Sequence, residues 1–128
     1  MSDIGIDSST LIDYLAGKSG ADIHYLQTVI DTQNAFLPPP VVSEVLSFPG
    51  ITTEAMAMVN SLPLLSVEEG YWRRSGETRR KILQQGLKAR LGDSLIAQSC
   101  IDHDIPLLTR DPDFKHYAKY CGLKLAVK

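Results

Sequence analysis

Ile4-Gly5-Ile6-Asp7-Ser8-Ser9-Thr10-Leu11-Ile12 is a short apolar run that ends on an acid and gives way at once to hydroxyl residues. Leu11, Ile12, Tyr14 and Leu15 then follow at helical spacing, so the segment reads as strand, cap and helix. The same alternation recurs downstream. A helix over about residues 21 to 33 sets Ile23, Leu26, Val29 and Ile30 on one face, Asn34 ends it, and Ala35-Phe36-Leu37 gives a second strand. Pro38, Pro39 and Pro40 stop that strand, and Pro40 is placed to start a helix through Val41, Val42, Val45 and Leu46, closed by Phe48-Pro49-Gly50.

Further along, the pattern predicts a helix from Thr53 to Asn60, a strand from Leu62 to Val67 and a long helix from Glu68 to Gln85. Residues 86 to 92 form a break, Asp93 to His103 a helix, Pro106 to Thr109 a buried strand, and Leu123 to Val127 the last strand. Short apolar strands between helices imply an α/β fold, a three-layer α/β/α sandwich around a short parallel sheet of Rossmann-like character. With no repeat and no linker rich in Pro, Gly or Ser, the 128 residues read as one domain, 1–128.

Composition narrows the function classes. Hydrophobic residues make up 44% and charged residues 22%, which is ordinary globular usage. No apolar run approaches the roughly 20 residues that span a bilayer, and Met1 to Ser9 carries acids rather than a basic leader, so the cytoplasm is the expected compartment. Cys100 and Cys121 form no CxxC pair, and His24, His103 and His116 show no metal-ligand spacing, which argues against zinc. The net charge of −2 gives no general affinity for polyanions; binding one would need local cations.

In open parallel sheets, catalytic groups gather beyond the carboxyl ends of the strands. Asp7 and Asp111 both follow strands there, while Asp93 falls three, four and seven positions before Ile96, Ala97 and Cys100, on the apolar face of its helix. An inward carboxylate is costly unless it is paired or bound to a metal. Each acid also has an ordinary reading: Asp7 as a helix N-cap, Asp93 as an N-cap after Gly92, Asp111 as an Asx-turn before Pro112, and Glu44 as a solvated surface residue.

The order and setting of these acids resemble those of the PIN-domain family, and in particular of the VapC-like ribonuclease toxins of type II toxin-antitoxin modules. The resemblance rests on Gly5-Ile6-Asp7-Ser8-Ser9-Thr10-Leu11-Ile12, Val42-Ser43-Glu44-Val45-Leu46, Gly92-Asp93-Ser94-Leu95-Ile96-Ala97 and Leu107-Leu108-Thr109-Arg110-Asp111-Pro112-Asp113-Phe114, and it spans nearly the whole chain. Ser8-Ser9 departs from the threonine and asparagine that many relatives carry. Asp111 and Asp113 compete for the fourth acidic position; the preceding Thr109 and the step from Asp93 favour Asp111, leaving Asp113 as a cap for the helix that follows. The resemblance implies a metal-dependent endoribonuclease, a homodimer and a cognate antitoxin.

If Asp7, Glu44, Asp93 and Asp111 converge, each close pair repels by ~4 kcal/mol at ~4 Å with an effective dielectric of about 20. Such a cluster takes up protons or a divalent cation, and oxygen-only ligands select Mg²⁺ or Mn²⁺. The expected site is therefore Asp7, Glu44, Asp93 and Asp111 as metal ligands and catalytic acids. Ser8 and Thr109 stand ready to hydrogen-bond a carboxylate or a phosphate oxygen. RNA phosphates would meet Arg90 and Arg110, the best placed of a basic group that includes Arg73, Arg74, Arg79, Arg80, Lys81 and Lys88, although a solvated helix face explains that group equally well. Two other functions remain: a catalytically inactive PIN-like module that binds RNA or protein, and a haloacid-dehalogenase-type phosphatase using Asp7, which Ser9 and Leu11 at its motif positions disfavour.

Overall fold

The computed structural model describes residues 2–126. A parallel sheet is built from β1 (Ile4–Ile6), β2 (Ala35–Phe36) and β3 (Leu107–Leu108), with β1 in the middle. Ile4 faces Ala35 and Gly5 faces Phe36 on one side, while Gly5 faces Leu107 and Ile6 faces Leu108 on the other. All three β1 residues are buried, as a strand covered by helices on both faces requires.

The helices are α1 (Ser8–Leu15), α2 (Ala21–Asp31), α3 (Pro39–Leu46), α4 (Thr53–Ser61), α5 (Tyr71–Gln84), α6 (Leu91–Asp102) and α7 (Phe114–Cys121). α5, α6 and α7 pack on one another, α1 packs on α2 and α3, and α3 touches α6. The core between them holds Ile6, Leu11, Leu26, Leu37, Ile82 and Ile96, all fully buried. This is the three-layer α/β/α arrangement expected from the sequence.

Several boundaries move. Leu62 to Val67 is not a strand: its only ladder feature among the described residues is a parallel bridge between Leu64 and Leu37, with Leu37 N–H donating to Pro63 O and Leu65 N–H to Leu37 O, each at 2.9 Å. Pro63 has no N–H to extend the pairing, and Leu64 and Val67 are about half exposed, so the segment lies along the sheet edge with Leu65 as its buried contact to the core. The expected strand from Leu123 likewise shrinks to a bridge between Leu125 and Leu107, and Val127 lies outside the described residues. α5 begins at Tyr71 rather than Glu68 because Gly70 adopts a left-handed φ of 82°. α3 begins at Pro39, one residue early, since two prolines fit a first turn whose N–H groups have no partner in the helix. Gln33, at φ 61°, ends α2 ahead of its expected boundary.

Helices between parallel strands run back against them. The first turns of α1, α3 and α6 therefore lie at the same edge as the carboxyl ends of β1, β2 and β3.

Candidate active site

Asp7 leaves β1 and occupies the N-cap position of α1 in an extended conformation, but its side chain does not cap the helix. Its Oδ2 instead accepts hydrogen bonds from Ser9 Oγ and Thr109 Oγ1, both at 2.7 Å. Each of those hydroxyls is itself held by the backbone beyond β3: Arg110 N–H donates to Ser9 Oγ at 3.2 Å and Asp111 N–H to Thr109 Oγ1 at 2.9 Å. Two parallel relays thus run from consecutive amides to one carboxylate oxygen, and they lock the loop after β3 to the end of β1.

Asp93 stands in the first turn of α6, with Arg90 as the N-cap residue, so the reading of Asp93 as a cap is corrected: its carboxylate is free to face the site. Asp111 does form the expected Asx-turn, accepting from Asp113 N–H at 2.9 Å through Oδ1. That turn folds Asp113 inward. Asp113 occupies the N-cap position of α7 but makes no cap bond, contrary to the role foreseen for it. Carboxylate oxygens of Asp93, Asp111 and Asp113 instead lie within 4.8 Å of one another.

Glu44 approaches from α3. Ser8 Oγ donates to its Oε1, and a Cβ at position 92 would stand only 3.1 Å from its Oε2, so Gly92 leaves room for this carboxylate beside the start of α6. Glu44 is exposed, at the open side of the cluster.

The electrostatics link all four acids. Burial pushes the Asp93 carboxyl up to about 6, the negative charges of Asp111, Asp7 and Glu44 push the same way, and Arg90 opposes them. The N-terminal dipole of α6 favours a carboxylate in its first turn, so the upward shift marks burial, with the neighbouring acids adding to it, as outweighing that dipole. Asp7 is only 3% exposed; burial raises its pKa, Glu44 adds to the rise, and the Ser9 and Thr109 hydroxyls counter it. An all-oxygen cluster that holds its charge reluctantly is chemically suited to a hard divalent cation.

The cations divide into two sets. Arg90 Nε is 3.9 Å from Asp93, Lys88 Nζ is 3.7 Å from Asp113, and both side chains are more than 60% exposed, so they sit loosely on the rim. Arg110 is different. Its guanidinium turns away from the acids and is held by Asp13 and Asp22, a placement unlike the substrate contact expected of it. Arg74 pairs with Asp102 at 2.7 Å, and Arg79 donates to Ala89 O at 2.8 Å, which gives these two of the basic group a role in joining α5 to its neighbours.

A family model described as PIN domain matches residues 4–120 of this sequence. The chain belongs to the PIN domain family. Among solved structures, it is similar to VapBC2 from Rickettsia felis bound to a DNA fragment from their promoter, at a TM-score of 0.75 and 17% identity, covering 96% of each chain. It is also similar to FitAcB from Neisseria gonorrhoeae, at a TM-score of 0.73 and 14% identity over 97% of this chain and 96% of that one. VapBC-5 from Mycobacterium tuberculosis gives 0.68 and 16% with all of both chains covered. At such identities the likeness establishes the fold. No curated protein matches the sequence.

Membership in the PIN family sets aside the dehalogenase-type phosphatase. Ser9 was not among the expected site residues, its place two residues after Asp7 being the available sign, while Asp113, which competes with Asp111 for the fourth acidic position in the sequence and reads there as a helix cap, lies beside Asp93 and Asp111. No helix among the described residues is long and apolar enough to cross a membrane.

Proposed function

We propose that this chain is a VapC-like ribonuclease, a single PIN domain over residues 1–128 that hydrolyses RNA phosphodiester bonds with the help of Mg²⁺ or Mn²⁺ and serves as the toxin of a toxin-antitoxin pair. The observation that carries the reading is geometric: carboxylate oxygens of Asp93, Asp111 and Asp113 lie within 4.8 Å of one another, and Thr109 ties the Asp7 carboxylate to the loop that carries Asp111. Asp7, Asp93 and Asp111 are the ligands in this reading, Asp113 joins them, and Glu44 holds the attacking water at the open side. A divalent ion bound there supplies an acidified water and a stabiliser for the leaving oxygen. Ser9 and Thr109 fix the Asp7 carboxylate, Ser8 orients Glu44, and Lys88 and Arg90 are the exposed cations nearest to where phosphates would lie.

The partners in this reading are RNA, a second copy of the chain and a cognate antitoxin, all in the cytoplasm. One solved neighbour, VapBC-5 from Mycobacterium tuberculosis, is described as a member of the VapBC family of toxin-antitoxin systems, which favours an antitoxin. An apolar hollow of about 220 Å³ lined by Ile12, Leu15, Val45, Phe48, Ile51 and Ala55 offers it a surface. The test is incubation of the purified protein with defined RNAs and Mg²⁺ or Mn²⁺, beside chelator and Asp93→Asn controls. Cleavage that needs both the ion and Asp93 supports the reading. RNA or protein binding without cleavage, unaffected by Asp93→Asn, replaces it with a binding module.

A further inference from the structure

We infer that Arg110 is a positioning residue, a brace that pins the site loop Thr109-Arg110-Asp111 against the joint between α1 and α2, rather than a cation that contacts RNA. The inference rests on the functional reading above for its consequence, and on geometry for its substance. The guanidinium donates through Nε and Nη2 to the two oxygens of Asp22 on α2, the Nη2 bond being 2.8 Å. Nη1 donates to Asp13 on α1 at 3.0 Å, and Nη2 also donates to Ser19 O at 2.9 Å in the turn between the helices. Its side chain is only 27% exposed, against 63% for Arg90 and 66% for Lys88.

The joint is shaped to receive it. Gly20 has φ 141°, where a side chain would be strained, and a Cβ there would come within 2.8 Å of both Arg110 Nη2 and Asp22 Oδ1, so any other residue would have to displace the ends of this pair. A planar fork matched to a carboxylate is the rigid form of ion pairing that arginine provides and lysine does not. From this anchor the backbone of the same residue reaches the site: Arg110 N–H holds Ser9 Oγ and the next amide holds Thr109 Oγ1, the two hydroxyls that fix Asp7. Loosening the guanidinium should therefore loosen Asp7 and Asp111 together.

The test breaks the brace from its far side. Asp22→Ala removes the fork's acceptor without touching the acids, and Arg110→Met is its companion. Amide hydrogen exchange at Arg110 and Asp111 should quicken at least about tenfold in Asp22→Ala while β1 amides stay protected; unchanged exchange overturns the brace. Mn²⁺ affinity measured by calorimetry should fall about 10-fold to 100-fold in both variants, as for other residues that orient a ligand. RNA affinity in chelator and its dependence on salt should match the parent protein. A loss of RNA affinity with a shallower salt slope in Arg110→Met, and normal exchange in Asp22→Ala, would instead make Arg110 a phosphate contact. A parent protein that binds no Mn²⁺ counts against the ribonuclease reading, whereas the exchange result judges the brace in either case.

Discussion

Thr109 Oγ1 donates to Asp7 Oδ2 at 2.7 Å across 102 residues of sequence, and the same oxygen accepts the Asp111 N–H at 2.9 Å. One hydroxyl thereby ties the end of β1 to the loop after β3 and sets the separation of two acids. Thr109→Val keeps the shape and deletes both bonds, leaving the Asp111 amide without its partner. Unfolding in urea should show a loss of about 1–2 kcal/mol, and metal-dependent cleavage should drop by about 10-fold to 100-fold. Thr109→Ser, which keeps the oxygen, should retain most of both. Equal activity in the Val and Ser variants would show that the relay does not position Asp7.

Asp93→Asn separates stability from function. The carboxylate is 15% exposed, and burial together with the charges of Asp111, Asp7 and Glu44 outweighs the nearby Arg90, so an amide of the same shape relieves the cost of a buried charge in the metal-free protein. The variant should unfold at higher urea concentration than the parent in chelator, yet lose metal-dependent RNA cleavage. Sites that trade stability for a charged constellation behave in this way. A variant that is both less stable and inactive would place Asp93 in a structural role.

What the sequence disclosed of this arrangement followed from short-range physics. Ile4-Gly5-Ile6 could only be a brief buried strand, and Asp7 at its end had to lie at the carboxyl edge of a parallel sheet. The edge segments were harder, because Leu62 to Val67 has apolar residues in plenty while Pro63 withholds the N–H that a ladder needs. Arg110 misled through proximity. The backbone bends at Arg110 just past β3, and its guanidinium leaves toward Asp13 and Asp22 while Thr109 reaches Asp7. Asp113 was visible only as a competitor of Asp111: that both approach Asp93 depends on the Asx-turn that Asp111 makes with the Asp113 amide, which spacing alone does not decide.

The raised Asp93 pKa fixes the sign of a pH effect. Between its ordinary value of 3.8 and about 6, the folded metal-free protein holds a proton that the unfolded chain has released. Stability in chelator should therefore fall as pH rises through that window, by at most about 3 kcal/mol at 1.36 kcal/mol per pKa unit. Asp7, also raised, acts in the same direction. Asp22 opposes them only at acid extremes: Arg110 lowers it to about 2, so its stabilisation is complete above about pH 4 and fades as pH falls toward 2. Saturating Mn²⁺ should stabilise the protein more at pH 7 than at pH 5, because bound metal displaces the proton. Urea titrations at both pH values, with and without Mn²⁺, check this; a metal effect independent of pH would mean that the acids do not share the ion.

Packing beneath the site gives a prediction independent of any ion. Gly5, in the middle of β1, lies against Cys100 of α6, and a Cβ at position 5 would fall 2.5 Å from its Sγ. Cys100 is fully buried, and burial raises its thiol pKa to about 12, so it behaves as a small apolar residue with no room to retreat. Gly5→Ala should therefore destabilise the protein by about 1–3 kcal/mol through overpacking. Cys100→Ala alone leaves a small cavity and should also destabilise. The double variant should recover much of the loss, with a favourable coupling of at least about 1 kcal/mol in a double-mutant cycle, as expected of residues in contact. Because β1 ends in Asp7, the single Gly5→Ala variant should also lose cleavage activity, and Cys100→Ala should restore it in the pair. Additive urea midpoints for the two substitutions would show that strand and helix do not meet where the structure puts them.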